Sequence, residues 1–195
     1  MTHLTRRGVL CGLASIGTAA LAAPAFAHQV TLPERFNPTI VNTGRTDWLP
    51  GEIHVVPDEF YLYLMYEAGA AYRYGVGVGR KGLYEPGVFT VARKAEWPWW
   101  RPTPAMIRRD PGQYAKYKDG MKGGPNNPLG ARALYLYDDA GRDTYLRIHG
   151  TNAPSTIGSA VSNGCARLTN EHVKDLYERV PVGTRVTLHP KVTTA

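Results

Sequence analysis

Residues 61–79 read YLYLMYEAGAAYRYGVGVG, and this stretch decides the fold class. Tyr61 to Tyr66 is aromatic and apolar, and Tyr72 to Val78 alternates with a period of two, so each half reads as a β-strand. Glu67-Ala68-Gly69 between them is too short for anything but a turn, which makes the pair antiparallel neighbours. The same pattern spreads outward. Ile53 to Val56 precedes the pair across Pro57-Asp58-Glu59, and Val88 to Ala92 follows it. Ala131 to Tyr137 and Asp143 to His149 flank Asp138-Asp139-Ala140-Gly141, a hairpin turn by composition. Arg185 to His189 closes the series, burying Val186 and Leu188. One convincing helix interrupts the strands, from about Asn170 to Val180. Thr169 or Asn170 caps it, Glu171 lies in its first turn, and Val173, Leu176, Tyr177 and Val180 recur at helical spacing. Pro181-Val182-Gly183 stops it. The expectation is a mainly β fold with a single short helix.

A chain of 195 residues with 43% apolar content is enough for one domain with a real core. Residues 1–27 stand outside that core. Arg6-Arg7 is followed by an uncharged stretch rich in Ala, Leu and Gly that ends in Ala25-Phe26-Ala27, the layout of a signal peptide. The paired arginines point to twin-arginine export, and cleavage leaves His28 first. An uncleaved anchor is the alternative, since about 20 residues can span a bilayer, although Pro24 and the glycines weaken it. Either way the domain lies outside the cytoplasm, and cleavage leaves no stable membrane insertion. Residues 28–51 carry Pro33, Pro38 and Pro50 with little periodicity and read as an extended, partly ordered arm. Residues 190–195 read as a tail.

Export makes the cysteines informative. Cys11 lies in the signal, so the mature chain holds Cys165 alone, and no internal disulfide can form. A lone thiol in an oxidising compartment is a candidate for reactivity. The formal charge of +7 falls to +5 without Arg6 and Arg7. That suits anionic partners, but the basic residues form no run, and export argues against nucleic acid. Gly75, Gly77 and Gly79 are no dinucleotide fingerprint, because residues 80–87 are turn-like and lead to a strand where that motif needs a helix. No cofactor is expected. Residues 93–130, with Trp97, Trp99, Trp100, Tyr114 and Tyr117 among prolines and glycines, form a connection long enough to be a lid over a groove or a packed structural excursion.

The chemistry concentrates in Ile148-His149-Gly150-Thr151-Asn152 and Ser162-Asn163-Gly164-Cys165-Ala166-Arg167-Leu168. A thiol becomes a good nucleophile when an imidazole within hydrogen-bond reach deprotonates it. On the strand ending at His149, Leu146 and Ile148 face one way while Tyr145, Arg147 and His149 face the other. Sixteen residues then let the chain leave that strand end at Gly150 and return beside it at Cys165. Gly164 permits a tight turn that can aim the N–H groups of Gly164 and Cys165 at a developing oxyanion. Arg167 can bind a substrate carboxylate, favour thiolate, or pair with Glu171. Each residue alone has a plainer reading: a cysteine is often a small buried hydrophobe, and a histidine often bonds a nearby carbonyl. Cys165, His149, His172 and His189 lack zinc-like spacing, so no metal site is expected, and Ser162 lies in no nucleophile elbow.

At these residues the chain resembles the L,D-transpeptidase catalytic domain, the YkuD-like family, and within it the periplasmic Gram-negative branch. HGTN from His149 and SNGCARL from Ser162 carry the resemblance, which extends through LYERVPVGTRVTL from Leu176 and over residues 52–189. It implies a β-sandwich-like fold with a long loop or lid over the catalytic groove. It also implies a ping-pong acyl transfer in the periplasm. Cys165 attacks the carbonyl between the L-centre of diaminopimelate and D-Ala in a tetrapeptide stem of peptidoglycan, and His149 is the base. D-Ala leaves, and an amine resolves the thioester: another diaminopimelate, a lipoprotein lysine or a D-amino acid. By position Gly164 matches the turn, Arg167 the basic position and Ser162 the motif hydroxyl. Gly150, Thr151 and Arg147 flank the pair as site support. Asn163 stands where many members have histidine and Ala166 where many have a branched aliphatic; Asn163 keeps hydrogen bonding but cannot titrate. With water as acceptor the same site is a carboxypeptidase or amidase, and without chemistry the domain is a wall-binding module.

Overall fold

The computed structural model describes residues 32–192. The expected signal peptide, with Cys11, lies outside them. Eleven strands are formed among the described residues: β1 (Thr39–Asn42), β2 (Ile53–Val56), β3 (Tyr61–Glu67), β4 (Ala70–Gly75), β5 (Val78–Gly79), β6 (Gly87–Glu96), β7 (Arg132–Tyr137), β8 (Asp143–His149), β9 (Ala160–Ser162), β10 (Ala166–Arg167) and β11 (Arg185–Leu188). Three α-helices accompany them: α1 (Pro104–Arg109), α2 (Pro111–Tyr114) and α3 (Asn170–Arg179). The expectation of a single helix is therefore corrected, since α1 and α2 lie inside the long connection.

Nine strands bond side by side in the order β1-β4-β3-β2-β11-β6-β7-β8-β10, and β5 pairs with β9 in a small second sheet. The alternation that identified β2, β3 and β4 sets their register: Val55 faces Leu62, and Leu62 faces Tyr74. β11 lies between β2 and β6, parallel to the first and antiparallel to the second. The result is a β-rich mixed fold with a few helices. Pairing runs continuously through the large sheet, which is not divided into two separate facing sheets. That sheet is curled. Gly77, just past β4, exchanges two backbone hydrogen bonds with Arg167 on β10, at 2.9 and 2.8 Å, although the two strands lie far apart in the order. One core fills the curl, with Val55, Leu62, Tyr74, Val76, Leu134, Leu136, Ile148 and Val186 all buried. Helix α3 closes it with Val173 and Leu176, each contributing about 2 kcal/mol by burial. Thr169 caps the start of α3, and Lys94 from β6 donates to the Tyr177 and Val180 carbonyls at its end, where helix carbonyls lack internal partners.

Two parts differ from the linear pattern. Within the arm, β1 pairs antiparallel with β4, and Phe36 fills slots beside Gly75 and Gly158, where any Cβ would collide with it. The expected strand from Tyr72 to Val78 ends at Gly75, and Val78 resumes in the second sheet. β6, expected to end at Ala92, runs on to Glu96 through a register shift near Val91–Arg93.

The excursion beyond β6 is pinned from inside. Thr103 and Asp110 cap α1 and α2, each followed by proline at the first helical position. Trp100 and Met121 exchange backbone bonds. Buried Asn127 holds the loop together: its Nδ2 lies 3.0, 3.3 and 3.1 Å from the carbonyls of Pro98, Met121 and Lys122, and its Oδ1 accepts from Leu129 N–H at 2.9 Å. Asn127→Ala is expected to lose about 3 kcal/mol, because buried polar groups left without partners cost about 1–3 kcal/mol each. Urea unfolding measures that loss, and limited proteolysis should cut first between residues 97 and 128. Equal protease resistance would mean that the excursion is held elsewhere.

Candidate active site

β10 pairs parallel with β8, Ala166 opposite Ile148 and Arg167 opposite His149, and Leu168 N–H donates to the His149 carbonyl at 2.8 Å. The sixteen-residue spacing thus brings the chain back beside its starting strand. Side chains alternate along a strand. Arg167 therefore lies level with His149, and Cys165, two residues earlier, comes next to the level of Arg147.

Cys165 is half-buried and free. Its Sγ lies 3.8 Å from the Tyr145 carbonyl, to which the thiol donates weakly. Packing pushes the thiol above its ordinary range, while the Arg147 N–H and the Arg147 and Arg167 guanidinium groups oppose that rise. Tyr145 has φ +62°, a left-handed conformation costly for a tyrosine, at about 1–3 kcal/mol. It sits where β8 slips register against β7, and Asp143 Oδ1 accepts its N–H at 2.8 Å. The irregularity is what directs the Tyr145 carbonyl at the sulfur. Nothing in the alternation of Asp143 to His149 announces it.

His149 is buried, at 4% exposure, and Arg147 with it, so the His149 end of the polar face expected of β8 is covered while Tyr145 stays exposed. Its Nδ1 lies 2.5 Å from the Gly150 carbonyl. A carbonyl only accepts, so the proton sits on Nδ1 and Nε2 keeps its lone pair. Burial, then Arg167 and Arg147, lower the imidazole to about 3, and only the Gly150 bond opposes them. The resting imidazole is neutral. Gly150 is itself seated by Asn170, whose Oδ1 accepts from Ala131 N–H at 2.9 Å and leaves no room for a Cβ at Gly130 or Gly150.

The remaining expected residues divide by what they touch. Gly164 has φ +125°, and a Cβ there would press on the Leu83 carbonyl and Leu146. Its N–H donates to Ser162 Oγ at 3.2 Å, and that hydroxyl donates to the Cys165 carbonyl at 2.6 Å. The expectation that Gly164 N–H faces a developing oxyanion is corrected, because Ser162 already holds it. Thr151 is buried and accepts from Ala153 N–H, bracing the loop. Arg147 forms a two-pronged pair with Asp143 at 2.7 and 2.8 Å, lies over the Tyr135 ring and is not free for substrate. Arg167 differs. Among the described residues it has no carboxylate partner, including Glu171, and its Nε is buried without a hydrogen bond. Of the possible metal ligands, His189 pairs with His54 beneath Trp48, and no three His, Cys, Asp or Glu among the described residues gather to hold a metal.

Three side chains meet at Asn163: Tyr114 of the expected lid, and Arg80 and Arg109, which sequence reasoning missed. Its Oδ1 accepts from Arg109 at 2.8 Å and lies 3.4 Å from Arg80, and its Nδ2 donates to the Tyr114 hydroxyl at 2.9 Å. Through Arg109 and Tyr114 the excursion rests on the loop that carries Cys165.

The L,D-transpeptidase catalytic-domain family, YkuD, matches residues 50–188. The probable L,D-transpeptidase ErfK/SrfK of Escherichia coli is 36% identical over 170 residues, 84% of this chain and 49% of that protein. A protein of Fuscovulum blasticum, named for an L,D-transpeptidase in the ATP synthase subunits region (ORF 5), is 35% identical over 94% of this chain and 96% of its own. The chain spans half or less of the length of the E. coli relatives it matches. Among solved structures, one from Brucella melitensis described as a probable carnitine operon oxidoreductase is 48% identical, covers 83% of this chain and 96% of its own, and superposes with a TM-score of 0.55. That description belongs to that protein. In this chain the glycines 75, 77 and 79 lead through β5 and a turn into β6, with no helix to seat a dinucleotide. The catalytic domain of the E. faecium L,D-transpeptidase shares the fold at 18% identity, a TM-score of 0.50 and coverage of 73% and 98%. The chain belongs to the L,D-transpeptidase catalytic-domain family, YkuD.

Proposed function

We propose that the protein is a cysteine acyltransferase of the cell wall, an L,D-transpeptidase that uses Cys165 and His149. The observation that carries this reading is the parallel pairing of β8 with β10, which returns the thiol to the end of the strand bearing an imidazole whose Nε2 is free to take a proton. Sγ attacks the carbonyl between the L-centre of diaminopimelate and D-Ala in a tetrapeptide stem, and the thiol proton passes to His149. The imidazolium returns it to the departing D-Ala nitrogen as the C–N bond breaks, leaving a thioester. An acceptor amine then attacks the thioester carbonyl, loses a proton to His149 and releases the thiol. Because Ser162 holds the Gly164 N–H, the oxyanion role falls to the Cys165 N–H in this reading, and Arg167 is the cation for the D-Ala carboxylate. The curl of the large sheet supports a sandwich-like architecture, and the contacts of Arg109 and Tyr114 with Asn163 support the excursion as a cover over the groove. Arg6-Arg7 and the uncharged stretch to Ala27 support a twin-arginine-type leader and periplasmic location, with a diaminopimelate, a lipoprotein lysine or a D-amino acid as acceptor.

Incubation of the mature protein with disaccharide-tetrapeptide, with and without a primary amine, tests this by product mass. Loss of D-Ala with gain of the amine is expected. Hydrolysis alone, even with amine present, would make the enzyme a carboxypeptidase, and unchanged substrate would leave a wall-binding module.

A further inference from the structure

Two guanidinium groups from distant parts of the chain converge on one neutral oxygen beside the candidate nucleophile. Arg80 follows β5 and Arg109 ends α1, yet both reach Asn163 Oδ1, two residues before Cys165. An amide oxygen carries no charge to balance two cations, and neither arginine belongs to an ion pair among the described residues. Both remain exposed, so their other N–H donors are open to solvent and to a ligand. The Tyr114 hydroxyl accepts from Asn163 Nδ2, which leaves its own proton to donate. Planar guanidinium forks match a carboxylate better than any other common ligand, and holding them in place beforehand lowers the entropy lost on binding.

We infer that Arg80 and Arg109, positioned by Asn163 and joined by Tyr114, form a carboxylate subsite for the donor peptide, distinct from Arg167. The inference rests on the stem-peptide reading above and names the group recognised: the free carboxylate at the far centre of the donor diaminopimelate. Asn163 stands two residues from Cys165, a span of about 7 Å along the backbone. The far carboxylate of diaminopimelate lies a comparable distance from its acylated carbonyl, whereas the D-Ala carboxylate falls beside Arg167. The subsite also joins the excursion to the reaction, because Arg109 and Tyr114 both belong to it.

The test uses two tetrapeptide donors that differ only in whether that far carboxylate is free or a carboxamide. Binding is measured on Cys165→Ala protein, and KM and kcat on the protein with Cys165 intact. The free acid is expected to bind about 10-fold more tightly and to show a KM lower by a similar factor, with kcat within about 2-fold. Arg109→Gln and Arg80→Gln should each cut that preference to about 3-fold and the double variant should abolish it, while Arg109→Lys keeps part of it. Equal binding of the two donors, or a preference that survives the double variant, overturns the subsite. So does a KM rise shared equally by both donors with faster proteolysis of the excursion, which would make the cluster a structural latch only. Turnover without preference defeats this inference and leaves the acyltransferase reading intact, whereas loss of both turnover and binding defeats the two together.

Discussion

Cys165→Ala is expected to reduce turnover by about 10⁴-fold or more while leaving the fold in place. Removing a catalytic nucleophile forfeits the covalent route, and what survives is the modest acceleration from binding and polar groups. The fold should tolerate the change because the turn at Cys165 does not lean on sulfur. Ser162 ties Gly164 N–H to the Cys165 carbonyl, and Gly164 supplies the positive φ. The sulfur's own hydrogen bond is a long one to Tyr145, so loss of stability should stay within about 1 kcal/mol. Cys165→Ser should be nearly as inactive, since a neutral imidazole oriented only by a carbonyl is a weak activator of a hydroxyl. Product mass and a thermal midpoint, measured on the same preparations, check both halves. A loss below about 100-fold with an intact fold would move the nucleophile elsewhere, and Ser162, whose hydroxyl is already engaged, would be the first alternative to test.

Much of this arrangement was legible because it is local. β2, β3, β8, β11 and α3 lie within a residue or two of their expected bounds, since each carries its own alternation, helical spacing or cap. The return of Cys165 to the His149 strand followed from loop length. What the linear pattern could not carry is set by distant partners. β5, β9 and β10 are two or three residues long and exist through pairing with other strands, β5 with β9 and β10 with β8. β1 is exposed on three of its four residues, so it lacks the apolar alternation that marks a half-buried strand. Asn163 meets Arg80 and Arg109 across 83 and 54 residues of sequence. Two features were readable and passed over. Thr103-Pro104 and Asp110-Pro111 each place a capping side chain before a proline, a helix-start signal in a stretch expected to be loop. The burial of the Arg147 and His149 face required knowing that the returning loop covers it.

That burial governs the second large effect, the role of His149. With burial lowering the imidazole to about 3 and raising the thiol, the pair favours its neutral form over thiolate and imidazolium at rest. The protein rests as neutral thiol and neutral imidazole, and proton transfer accompanies attack. Under the proposed function, a donor carboxylate on Arg167 would offset the second-largest influence depressing His149, and substrate binding would then strengthen the base. The pH consequence has a definite sign. Neither group changes charge between about pH 5 and 8, so kcat/KM should form a plateau there, with no inflection near the ordinary histidine value. His149→Gln should lower kcat/KM about 10³-fold and replace the plateau with a rise of about tenfold per pH unit, as only spontaneous ionisation of the thiol remains. Stability should move the other way. The unfolded chain protonates its histidine near 6.5 and the folded chain only near 3, so wild-type stability falls as pH drops through that window, and His149→Gln should shift acid unfolding to lower pH. A wild-type inflection near 6.5 that disappears in the variant would place the imidazole in contact with solvent and the resting charges on the pair, and the neutral-base mechanism would have to be abandoned.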